Sequence, residues 1–549
     1  MLYRDICRTL AFYLWILLIP LTLPLGIAFY CDFIDPESFL QPNSFFAFLW
    51  TMVITALLAF IFWLIGRRST GHLYRKEALL LVIIVYLLTP LIGSFPFLFN
   101  NTFSNPVDAY FEAVSGLTTT GATVMEAKKL NPATGEEIPI RKTFVTGDKT
   151  DYKYNGTIQP VVDPNTGKQL LVGIEAVSPS LLFWRSFLQW LGGGGIIVLF
   201  VAILPALGVG GKILFQSEVT GPSKESLMPR IKETASRLWK IYLGLTITEV
   251  ILLLITSSKM SLFDAITISF STLSTGGFTP RTGGIAFFNN GATDCVIMLF
   301  MILGSISFAL YFFCMQRKFF RLKDPELRLF LIIILVAIVI ATWKLFGKNL
   351  YLLNASGAEQ TFTFWQALRY GAFQVISAQT STGFTTANYD LWPFAVQVLM
   401  LNLMFIGGMA GSTAGGLKVV RQQTFFRIML NKIESIFRPD TVRPVRIGKA
   451  LISNRIAMTV LCYFMVAGSL TVLGTFLLVL DGIDPETGLS TIACMINNVG
   501  IAFRMGGPTD SFAFLSNFGK LLSCLWMIAG RLEFFTLLVA FVPAFWRSS

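Results

Sequence analysis

Four stretches of the chain share one pattern, and their recurrence decides the fold class. They are Tyr110-Phe-Glu-Ala-Val-Ser-Gly-Leu-Thr-Thr-Thr-Gly-Ala-Thr123, Phe263-Asp-Ala-Ile-Thr-Ile-Ser-Phe-Ser-Thr-Leu-Ser-Thr-Gly-Gly-Phe278, Phe373-Gln-Val-Ile-Ser-Ala-Gln-Thr-Ser-Thr-Gly-Phe-Thr385 and Leu489-Ser-Thr-Ile-Ala-Cys-Met-Ile-Asn-Asn-Val-Gly-Ile501. Each begins with an apolar run of about ten residues with helical character and continues into x-[Thr/Val]-Gly-x. Internal repetition of this kind indicates that one structural unit occurs four times.

The apolar run of each stretch is too short to cross a bilayer, because a transmembrane helix needs about 20 residues. We therefore predict four re-entrant pore helices, each followed by an extended loop. Non-helical backbone is tolerated at membrane depth only where it is buried in protein or lines a polar cavity. Four such loops around one axis supply rings of backbone carbonyls that replace the hydration shell of a cation. Glycine permits the backbone angles that turn these carbonyls inward.

The predicted cation ligands are mostly main-chain oxygens of three residues in each loop. They are Thr119, Thr120 and Gly121; Ser274, Thr275 and Gly276; Ser381, Thr382 and Gly383; and Asn498, Val499 and Gly500. Small-residue clusters in membrane proteins also serve close helix packing, and a single Thr-Gly pair would fit that explanation. Four pairs, each between two apolar spans, favour a selectivity filter.

Composition places the chain in a membrane. Of its 549 residues, 54% are hydrophobic and 13% are charged, whereas a soluble domain carries roughly a quarter charged residues. Apolar runs predict spans near residues 10–30, 46–66, 77–99, 181–206, 237–256, 293–315, 327–346, 393–423, 454–480 and 519–545. The first run is too long for a cleaved signal peptide, and no A-x-A cleavage site follows it.

The spans predict an all-α polytopic membrane protein with two N-terminal helices and four pseudo-symmetric helix–pore loop–helix repeats around a central pore. The predicted boundaries are 1–70 for the two extra helices and 71–215, 216–320, 321–430 and 431–549 for the repeats. Segment 126–178 of the first repeat is polar, charge-balanced and rich in turn residues. It predicts an extracytoplasmic insertion of one or two β-hairpins, acting either as a passive cap or as a modulator of ion access.

Lysine and arginine are concentrated in alternate loops, and an excess of these residues marks the cytoplasmic side. The basic segments are the N-terminus with Arg4 and Arg8, then Arg67–Lys76, Lys212–Lys240, Arg317–Arg328 and Lys418–Arg455. The loops between them are acidic or balanced, which predicts an even number of crossings with both termini in the cytoplasm. The basic loops serve either as anchors to lipid head groups or as docking sites for a cytosolic partner on Lys212–Lys240 and Lys418–Arg455.

The sequence contains few of the residues that a membrane enzyme would need for catalysis. Its seven cysteines form no CxxC pair, and His72 is the single histidine. Zinc sites and His-based hydrolases need several such ligands or a nucleophile–base pair, so we expect no catalytic residue and no cofactor in this chain. A secondary transporter is the main competing class. It requires carboxylates or broken helices at the membrane midplane, and the predicted spans are poor in Asp and Glu.

Two features inside the predicted spans suggest a gate. Half of the residues from Gly407 to Gly416 are glycine, which disfavours a helix by about 1 kcal/mol each, so we predict a flexible loop below the third filter strand. Its gating residues are Gly407, Gly408, Gly411, Ser412, Thr413, Gly415 and Gly416. A close-packed glycine face is the alternative. Arg531 lies in the final predicted span, where a charge is costly and indicates function; it either projects into the pore, with Glu533 or loop carbonyls as partners, or forms a structural ion pair.

Two acidic residues, Glu112 and Asp264, lie on the first and second predicted pore helices. Carboxylates at a pore mouth raise the local concentration of cations. The same residues also suit a second role, in which they cap a helix or form ion pairs inside the protein. The sequence leaves both interpretations open.

Several motifs resemble those of the Trk/Ktr/HKT potassium-transport superfamily. The filter loops Thr118-Thr-Thr-Gly-Ala-Thr123, Ser274-Thr-Gly-Gly-Phe278 and Ser381-Thr-Gly-Phe-Thr-Thr386 are similar to those of the superfamily. Three more stretches are similar to the bacterial Trk membrane subunits: Gly407-Gly-Met-Ala-Gly-Ser-Thr-Ala-Gly-Gly-Leu-Lys418, Gly192-Gly-Gly-Gly-Ile-Ile-Val-Leu-Phe-Val-Ala-Ile-Leu-Pro205 and Gly530-Arg-Leu-Glu533. The resemblance covers nearly the whole chain apart from 126–178.

The resemblance implies potassium uptake across the bacterial inner membrane through a gated, channel-like pore, with a potassium symporter as the alternative. It implies potassium ions bound at the filter residues, a gating loop at 407–416 and a pore-constricting Arg531. It also implies a homodimer and cytosolic nucleotide-binding regulatory subunits, with nucleotide bound only by that partner. Glycine at positions 121, 276, 383 and 500 suits potassium, whereas a serine in the first loop would suit sodium. The fourth loop departs from the family pattern, because Ile501-Ala502 replaces Pro-Gly, which predicts a less rigid loop.

Overall fold

Apolar helices dominate the computed structural model, which describes residues 3–69, 74–131, 135–146, 148–163, 169–198, 227–351, 359–438, 445–448 and 450–547. The helices are α1 (Tyr3–Phe29, continued by a π-helical turn Tyr30–Ile34), α2 (Phe45–Gly66), α3 (Arg75–Phe99), α4 (Pro106–Leu117), α5 (Pro179–Val198), α6 (Leu227–Thr256), α7 (Leu262–Leu273), α8 (Gly291–Ser305), α9 (Phe308–Met315), α10 (Pro325–Leu345), α11 (Phe364–Gln379), α12 (Phe394–Ile406), α13 (Val419–Phe437), α14 (Asn454–Leu480), α15 (Pro485–Asn497), α16 (Asn517–Arg531), α17 (Phe535–Leu538) and α18 (Pro543–Trp546). The predicted fold class is confirmed.

A pore helix follows a long helix in each of the four repeats, in the order that the sequence predicts. The pore helices α4, α7, α11 and α15 are each followed by a second helix, which has 20 residues in the first repeat and 13 to 15 in the other three. Their first turns are capped by side-chain oxygens of Asn105, Ser261, Thr363 and Asp484, which satisfy backbone donors that have no partner inside the helix. The outer faces of the long helices are apolar and exposed, as Trp343 (71%) and Met465 (73%) illustrate. Such faces suit contact with lipid.

Three of the predicted spans are broken rather than straight. The break in span 393–423 is at the predicted place, between Ile406 and Val419. Spans 293–315 and 519–545 were expected to be continuous, and this expectation is wrong: α8 and α9 meet at an angle of 91°, and α16 meets the following helical segment at 111°. Neither break contains proline or a run of glycines, which is why the sequence pattern gave no sign of it.

The insertion contains three β-hairpins, one more than the one or two predicted for 126–178. The strands are β1 (Lys129–Leu130), β2 (Glu137–Ile138), β3 (Ile140–Thr146), β4 (Asp148–Tyr154), β5 (Val161–Val162) and β6 (Gln169–Leu171), which pair antiparallel as β1–β2, β3–β4 and β5–β6. Hairpin β3–β4 is the longest, and its Tyr152 packs edge-on against Phe514 at 5.7 Å between ring centroids. Further hairpins join β7 (Asn349–Tyr351) to β8 (Glu359–Thr361) and β9 (Arg446–Ile447) to β10 (Ala450–Leu451).

The predicted span 181–206 is described as far as Val198 in α5. Most of the predicted docking segment Lys212–Lys240 lies outside the described residues, as does His72. The second docking segment, Lys418–Arg455, consists chiefly of α13, which begins directly after the predicted gating loop. Any partner bound to α13 would therefore be connected to that loop through one continuous helix.

Candidate functional site: four loops around a closed carbonyl ring

The four filter loops adopt the same backbone conformation. Each pore helix is followed by one residue in the left-handed region and then, two residues later, by a glycine with positive φ. The first set is Thr119 (φ 52°), Thr275 (53°), Ser381 (54°) and Asn498 (52°), and the second is Gly121 (81°), Gly277 (80°), Gly383 (80°) and Gly500 (84°). A non-glycine residue rarely adopts positive φ without a structural reason, so the fourfold recurrence identifies one backbone unit used four times.

This geometry corrects the register of the second loop. Sequence comparison matched Gly276 to the key glycines of the other loops, but the residue with the corresponding backbone is Gly277. Gly276 instead corresponds to Thr120, since the two N–H groups donate to carbonyls in the same position, those of Ser271 (2.7 Å) and Ser115 (2.9 Å). The predicted second set therefore begins one residue too early, and Gly277 replaces Ser274. Two consecutive glycines made the error possible, because the residue types are identical and only φ separates them.

The four glycines close a ring around one axis. A methyl group added to Gly121 would contact the carbonyl oxygen of Gly276, and the same holds in turn around the ring. The successive pairs are Gly121 with Gly276, Gly277 with Thr382, Gly383 with Val499, and Gly500 with Thr120. In each case the methyl group and the oxygen would overlap, so any side chain at these positions displaces a carbonyl of the next loop. The order one–two–three–four–one shows that the repeats form a closed pseudo-fourfold ring.

The ring combines oxygen atoms with the negative ends of helix dipoles. All four pore helices end immediately before the loops, and the C-terminus of a helix attracts cations. The four glycines are partly exposed, whereas the carbonyl-bearing residues before them are buried. The hydroxyl groups of Thr118 and Thr120 share a hydrogen bond of 2.8 Å, and the Asn498 amide donates to Thr120 at 2.9 Å. This constellation of preorganised oxygens is suited to a dehydrated monovalent cation.

Glycines on the second helix of three repeats allow that helix to approach the filter closely. Added methyl groups at Gly192, Gly304 and Gly530 would meet the carbonyls of Leu117, Leu273 and Ile496, each of which lies two residues before the left-handed residue of its loop. Gly192 and Gly530 leave no room for a methyl group, and Gly304 would be 3.0 Å from its carbonyl. Close backbone approach through small residues is typical of membrane helix packing. Close helix packing, the alternative role considered for small-residue clusters, is therefore carried out by these three glycines and not by the filter glycines.

The amide of Gln189 positions the second filter loop, a role that the sequence did not indicate. Its Nε2 donates to the Gly276 carbonyl at 2.7 Å, and its Oε1 accepts from the Phe278 N–H at 3.2 Å. Gln189 is fully buried in α5 of the first repeat. One side chain thus connects the first repeat to both sides of Gly277.

Glu112 and Asp264 form ion pairs, which supports the second of their two interpretations. Glu112 accepts from Arg185 at 2.5 Å, and both side chains are almost completely buried. Arg185 also donates to the Thr279 carbonyl at 3.0 Å, so this pair ties the first pore helix to the end of the second loop. Asp264 pairs with Arg281 at 2.9 Å. Paired carboxylates at these positions support the filter loops rather than face a pore entrance.

The fourth loop is held by hydrogen bonds despite its divergent sequence. The Tyr389 hydroxyl donates to the Ala502 carbonyl at 2.9 Å, and the Phe503 N–H donates to Ser490 at 3.2 Å. Ile501 is buried. These contacts argue against the expected loss of rigidity where Ile501-Ala502 replaces the family's Pro-Gly.

The segment from Gly407 to Lys418 is a buried, non-helical loop. Gly407, Gly411 and Gly416 have φ values of 72°, 75° and 78°, which L-residues with side chains adopt only with strain. The loop also bonds within itself, as the Ser412 hydroxyl does to the Met409 carbonyl at 2.6 Å. The predicted break is confirmed, and a continuous close-packed glycine helix is excluded for this segment.

Hydrogen bonds attach this loop directly to the filter. The Gly415 N–H donates to the Ser381 hydroxyl at 2.5 Å, and the Gly416 N–H donates to the Asn497 carbonyl at 3.1 Å. The Gln379 amide donates to the Gly407 carbonyl at 2.8 Å. Gly408 is buried and opposes Ser305 at the break between α8 and α9. The loop therefore lies directly below the third and fourth filter loops.

Thr413 connects the loop to the second repeat and to Arg531. Its hydroxyl donates to the carbonyls of Leu273 and Gly304, each at 2.9 Å, and its carbonyl accepts from Arg531 at 2.8 Å. Arg531 is buried at the last residue of α16, directly before the break in the final predicted span. Glu533, the other predicted partner, pairs instead with Arg421 at 2.5 Å. Arg531 and Gly415 line a cavity of about 10 Å³, which holds no more than about one water molecule.

Two charged residues that the sequence analysis did not single out hold the ends of the loop. The Lys418 ammonium group donates to the Ala414 carbonyl at 2.6 Å. The Glu326 carboxylate accepts from the N–H groups of Ala410 and Val420 at 2.8 and 3.3 Å. Both side chains are buried. The sequence could have indicated both residues, because Lys418 follows the glycine-rich stretch and Glu326 lies at the start of a predicted span. Charged residues at such positions in membrane proteins are usually functional.

A buried carboxyl group in α6 was also missed. Glu249 is fully buried, and neither of its carboxylate oxygens makes a hydrogen bond of good geometry among the described residues. Its polar neighbour Thr272, on the second pore helix, already donates to the Ile268 carbonyl at 2.8 Å. The sequence signal was the single acidic residue within an apolar span.

These features define a class of protein: a polytopic membrane protein in which one chain arranges four helix–pore loop–helix units around a closed ring of backbone carbonyls. Residues 163–548 match the family model described as "TrkH: Cation transport protein". Because this match covers more than half of the chain, the chain belongs to the TrkH cation transport protein family. The superfamily resemblance drawn from the filter motifs is thereby confirmed.

Individual relatives agree with this assignment. The Trk system potassium uptake protein TrkH of Salmonella typhimurium is 33% identical, over 91% of this chain and 92% of its own length. The Trk system potassium uptake protein TrkG of Escherichia coli is 30% identical over 99% of both chains. The crystal structure of the potassium transporter TrkH from Vibrio parahaemolyticus superimposes with a TM-score of 0.79 at 28% identity, covering 100% of both chains.

The corrected register of the second loop can be tested by comparing a substitution of a ring glycine with a substitution of a glycine outside the ring. Gly277→Ala forces a side chain into left-handed backbone, at a cost of roughly 1–2 kcal/mol, and displaces the Thr382 carbonyl. We expect loss of rubidium uptake into proteoliposomes and a lower Tm. Gly468→Ala in α14 is the matched control, because an added methyl group there meets no atom within 4 Å; equal effects of the two substitutions would contradict the ring assignment.

Proposed function

We propose that this chain mediates potassium uptake across the bacterial cytoplasmic membrane through a selective, gated, channel-like pore. The single observation that supports this most strongly is the closed ring of four carbonyls, those of Thr120, Gly276, Thr382 and Val499. A ring of uncharged carbonyl oxygens at the negative ends of four helix dipoles suits a monovalent cation that has shed its water. The names of the relatives, all potassium uptake proteins, point to the same ion.

The proposed ligands of potassium are main-chain oxygens of the four loops, with the second set moved to Thr275, Gly276 and Gly277. The other three sets are those predicted from the sequence. The oxygens come from backbone because the residue types differ between loops: Thr120 and Thr382 are hydroxylated, whereas Gly276 and Val499 are not. The four loops therefore share no common side-chain oxygen at this position, but they do share the geometry of the backbone carbonyl.

A flux measurement tests the proposed substrate. Purified protein in liposomes is expected to admit rubidium, as a potassium substitute, at least about tenfold faster than sodium, which corresponds to ~1.4 kcal/mol of discrimination. Empty liposomes and the Gly277→Ala variant serve as controls. Equal permeation of rubidium and sodium through the unmodified protein would refute the potassium assignment.

The loop from Gly407 to Gly416 is the proposed gate, with Arg531 as its barrier. The loop bonds to filter residues on one side and leads into α13 on the other, so movement of α13 would act on the filter. A guanidinium group at this depth opposes the passage of a cation by Coulomb repulsion. The cavity of about 10 Å³ beside Arg531 supports this role, because it has room for no more than about one water molecule.

Removal of the guanidinium group tests this gate. Arg531→Ala is expected to raise rubidium flux through otherwise closed protein by at least about tenfold, since ~1.4 kcal/mol of barrier corresponds to that factor. Arg328→Ala, which removes an exposed arginine from α10, is expected to leave flux unchanged. Unchanged flux in a folded Arg531→Ala protein would eliminate the blocking role.

The proposed assembly is a homodimer, with cytosolic nucleotide-binding regulatory subunits on the basic cytoplasmic loops and both termini inside. The alternation of basic loops and the family assignment support this arrangement. In this arrangement α13, which belongs to the second proposed docking segment, begins directly after the proposed gate. Light scattering of purified protein that reports only monomers would contradict the dimer.

Glu249 favours a second candidate function, potassium symport coupled to protons. A buried carboxyl group without a strong partner inside a membrane span is the feature that proton-coupled transporters require. Under this mechanism an inward proton gradient accelerates rubidium uptake, and the acceleration depends on Glu249. Under the channel mechanism the gradient has no specific effect beyond its voltage.

Glu249→Gln separates the two mechanisms. We expect rubidium uptake by this variant to match the unmodified protein at clamped voltage, with and without a pH gradient, as a channel requires. Glu37→Gln in an exposed loop is the control. Proton-driven uptake that disappears in Glu249→Gln but persists in Glu37→Gln would instead establish symport.

A further inference from the structure

Hairpin β3–β4 of the insertion is bonded to the beginning of the fourth pore helix. The Tyr152 hydroxyl donates to Oδ2 of Asp484 at 2.7 Å and accepts from the Asp484 backbone N–H at 2.9 Å. Asp484 is the N-cap of α15, and its other oxygen accepts from the Thr487 N–H at 2.9 Å. Tyr152 and Asp484 are 332 residues apart in sequence and both are buried.

A second contact of the same hairpin reaches the far end of the same pore segment. Lys142 in β3 forms an ion pair with Asp510, which lies in the segment between the fourth filter loop and α16. The ring of Tyr152 also packs on Phe514. The hairpin therefore contacts the fourth pore segment both before its helix and after its filter loop.

Among the described residues, none of the caps of the other three pore helices bonds to the insertion. Asn105, Ser261 and Thr363 accept hydrogen bonds from the first turn of their own helices, and Thr363 forms a capping box with Gln366. The bonds of Ser261 and Thr363 are local in sequence, whereas the Asn105 amide also donates to the side chain of Asn517 at 2.6 Å. In the fourth helix the cap residue is in addition fixed through both its carboxylate and its N–H by a side chain from the first repeat.

The fourth loop also has the fewest Thr and Ser residues of the four filter loops. Asn498 and Val499 replace the Thr and Ser residues of the first and third loops. Its Val499 carbonyl nevertheless has to meet Gly383 in the closed ring. A small shift of α15 along its axis would move that carbonyl, because the loop follows the helix directly.

We propose that Tyr152 is a positioning residue for the filter: the insertion holds α15 at Asp484 and thereby sets the position of the Val499 carbonyl and the ion selectivity of the pore. The inference rests on the proposed function and assigns the insertion an active part in selectivity instead of that of a passive cap. Burial raises the pKa of the Tyr152 phenol, so its hydroxyl keeps its proton and remains a donor to Asp484.

Strand β4 offers a matched control for this hydroxyl. Tyr154 lies two residues further along, on the same face of the strand, and is buried to nearly the same degree, 9% exposed against 6% for Tyr152. Its hydroxyl group makes no hydrogen bond among the described residues. Tyr152→Phe and Tyr154→Phe therefore remove the same atom from similar surroundings, with and without the bonds to Asp484.

The experiment measures the rubidium-to-sodium permeability ratio of full-length protein in liposomes. Tyr152→Phe is expected to lower this ratio by about threefold or more, the scale of one lost hydrogen bond, while total protein recovery and Tm change little. Tyr154→Phe is expected to keep the ratio of the unmodified protein. Asp484→Asn, which keeps a cap oxygen but loses the acceptor of the Tyr152 proton, is expected to lower the ratio as Tyr152→Phe does, and the double variant is expected to add no further loss.

Each alternative result has a distinct meaning. An unaltered ratio in folded Tyr152→Phe, or an equal reduction in Tyr154→Phe, overturns the positioning role. If Tyr152→Phe cannot be recovered folded, an unaltered ratio in Asp484→Asn overturns it in the same way. If the unmodified protein itself fails to distinguish rubidium from sodium, the proposed function is refuted, and the positioning role, which is defined by that selectivity, is refuted with it. If the unmodified protein is selective and the variants keep the same permeability ratio, only the positioning role is refuted.

Discussion

The close approach of four glycines to four carbonyl oxygens is the constraint on which the rest of the structure depends. Each ring glycine has the carbonyl of the next loop where a side chain would be, so the loops determine one another's positions in a closed circle. Such a ring cannot be assembled from fewer than four units. Four short pore helices, their caps and the helices that pack behind them are therefore required together.

Buried polar and charged groups stabilise the ring from outside. Gln189 bonds to both sides of the second loop, and the pair of Glu112 and Arg185 connects the first pore helix to the end of that loop. Breaking one member of such a pair leaves an uncompensated charge, at a cost of roughly 3–5 kcal/mol. These side chains lie outside the ring, and the ring itself consists of backbone atoms. Loops of different composition can therefore adopt one conformation.

The sequence predicts the repeats, the short pore helices and the glycine-rich break well, because these depend on local composition and spacing. It misplaces the second loop by one residue, since Gly276 and Gly277 are chemically identical and differ only in φ. The break after Arg531 was missed because Glu533 and Phe534 adopt positive φ with no glycine to indicate it. Contacts such as Tyr152 with Asp484 join residues far apart in the chain, and one sequence without its fold contains no sign of them.

The proposed gating loop donates hydrogen bonds to Ser381 in the third filter loop and to the Asn497 carbonyl at the end of the fourth pore helix. In the proposed mechanism, ion occupancy of the ring and the position of the loop are therefore linked equilibria, and linkage is reciprocal. Whatever shifts the loop changes the affinity of the ring for its ion by some factor, and binding of the ion shifts the loop by the same factor. Under the proposed function, a change in external potassium concentration would, through this pair of bonds, also change the free energy that a regulator needs to open the pore.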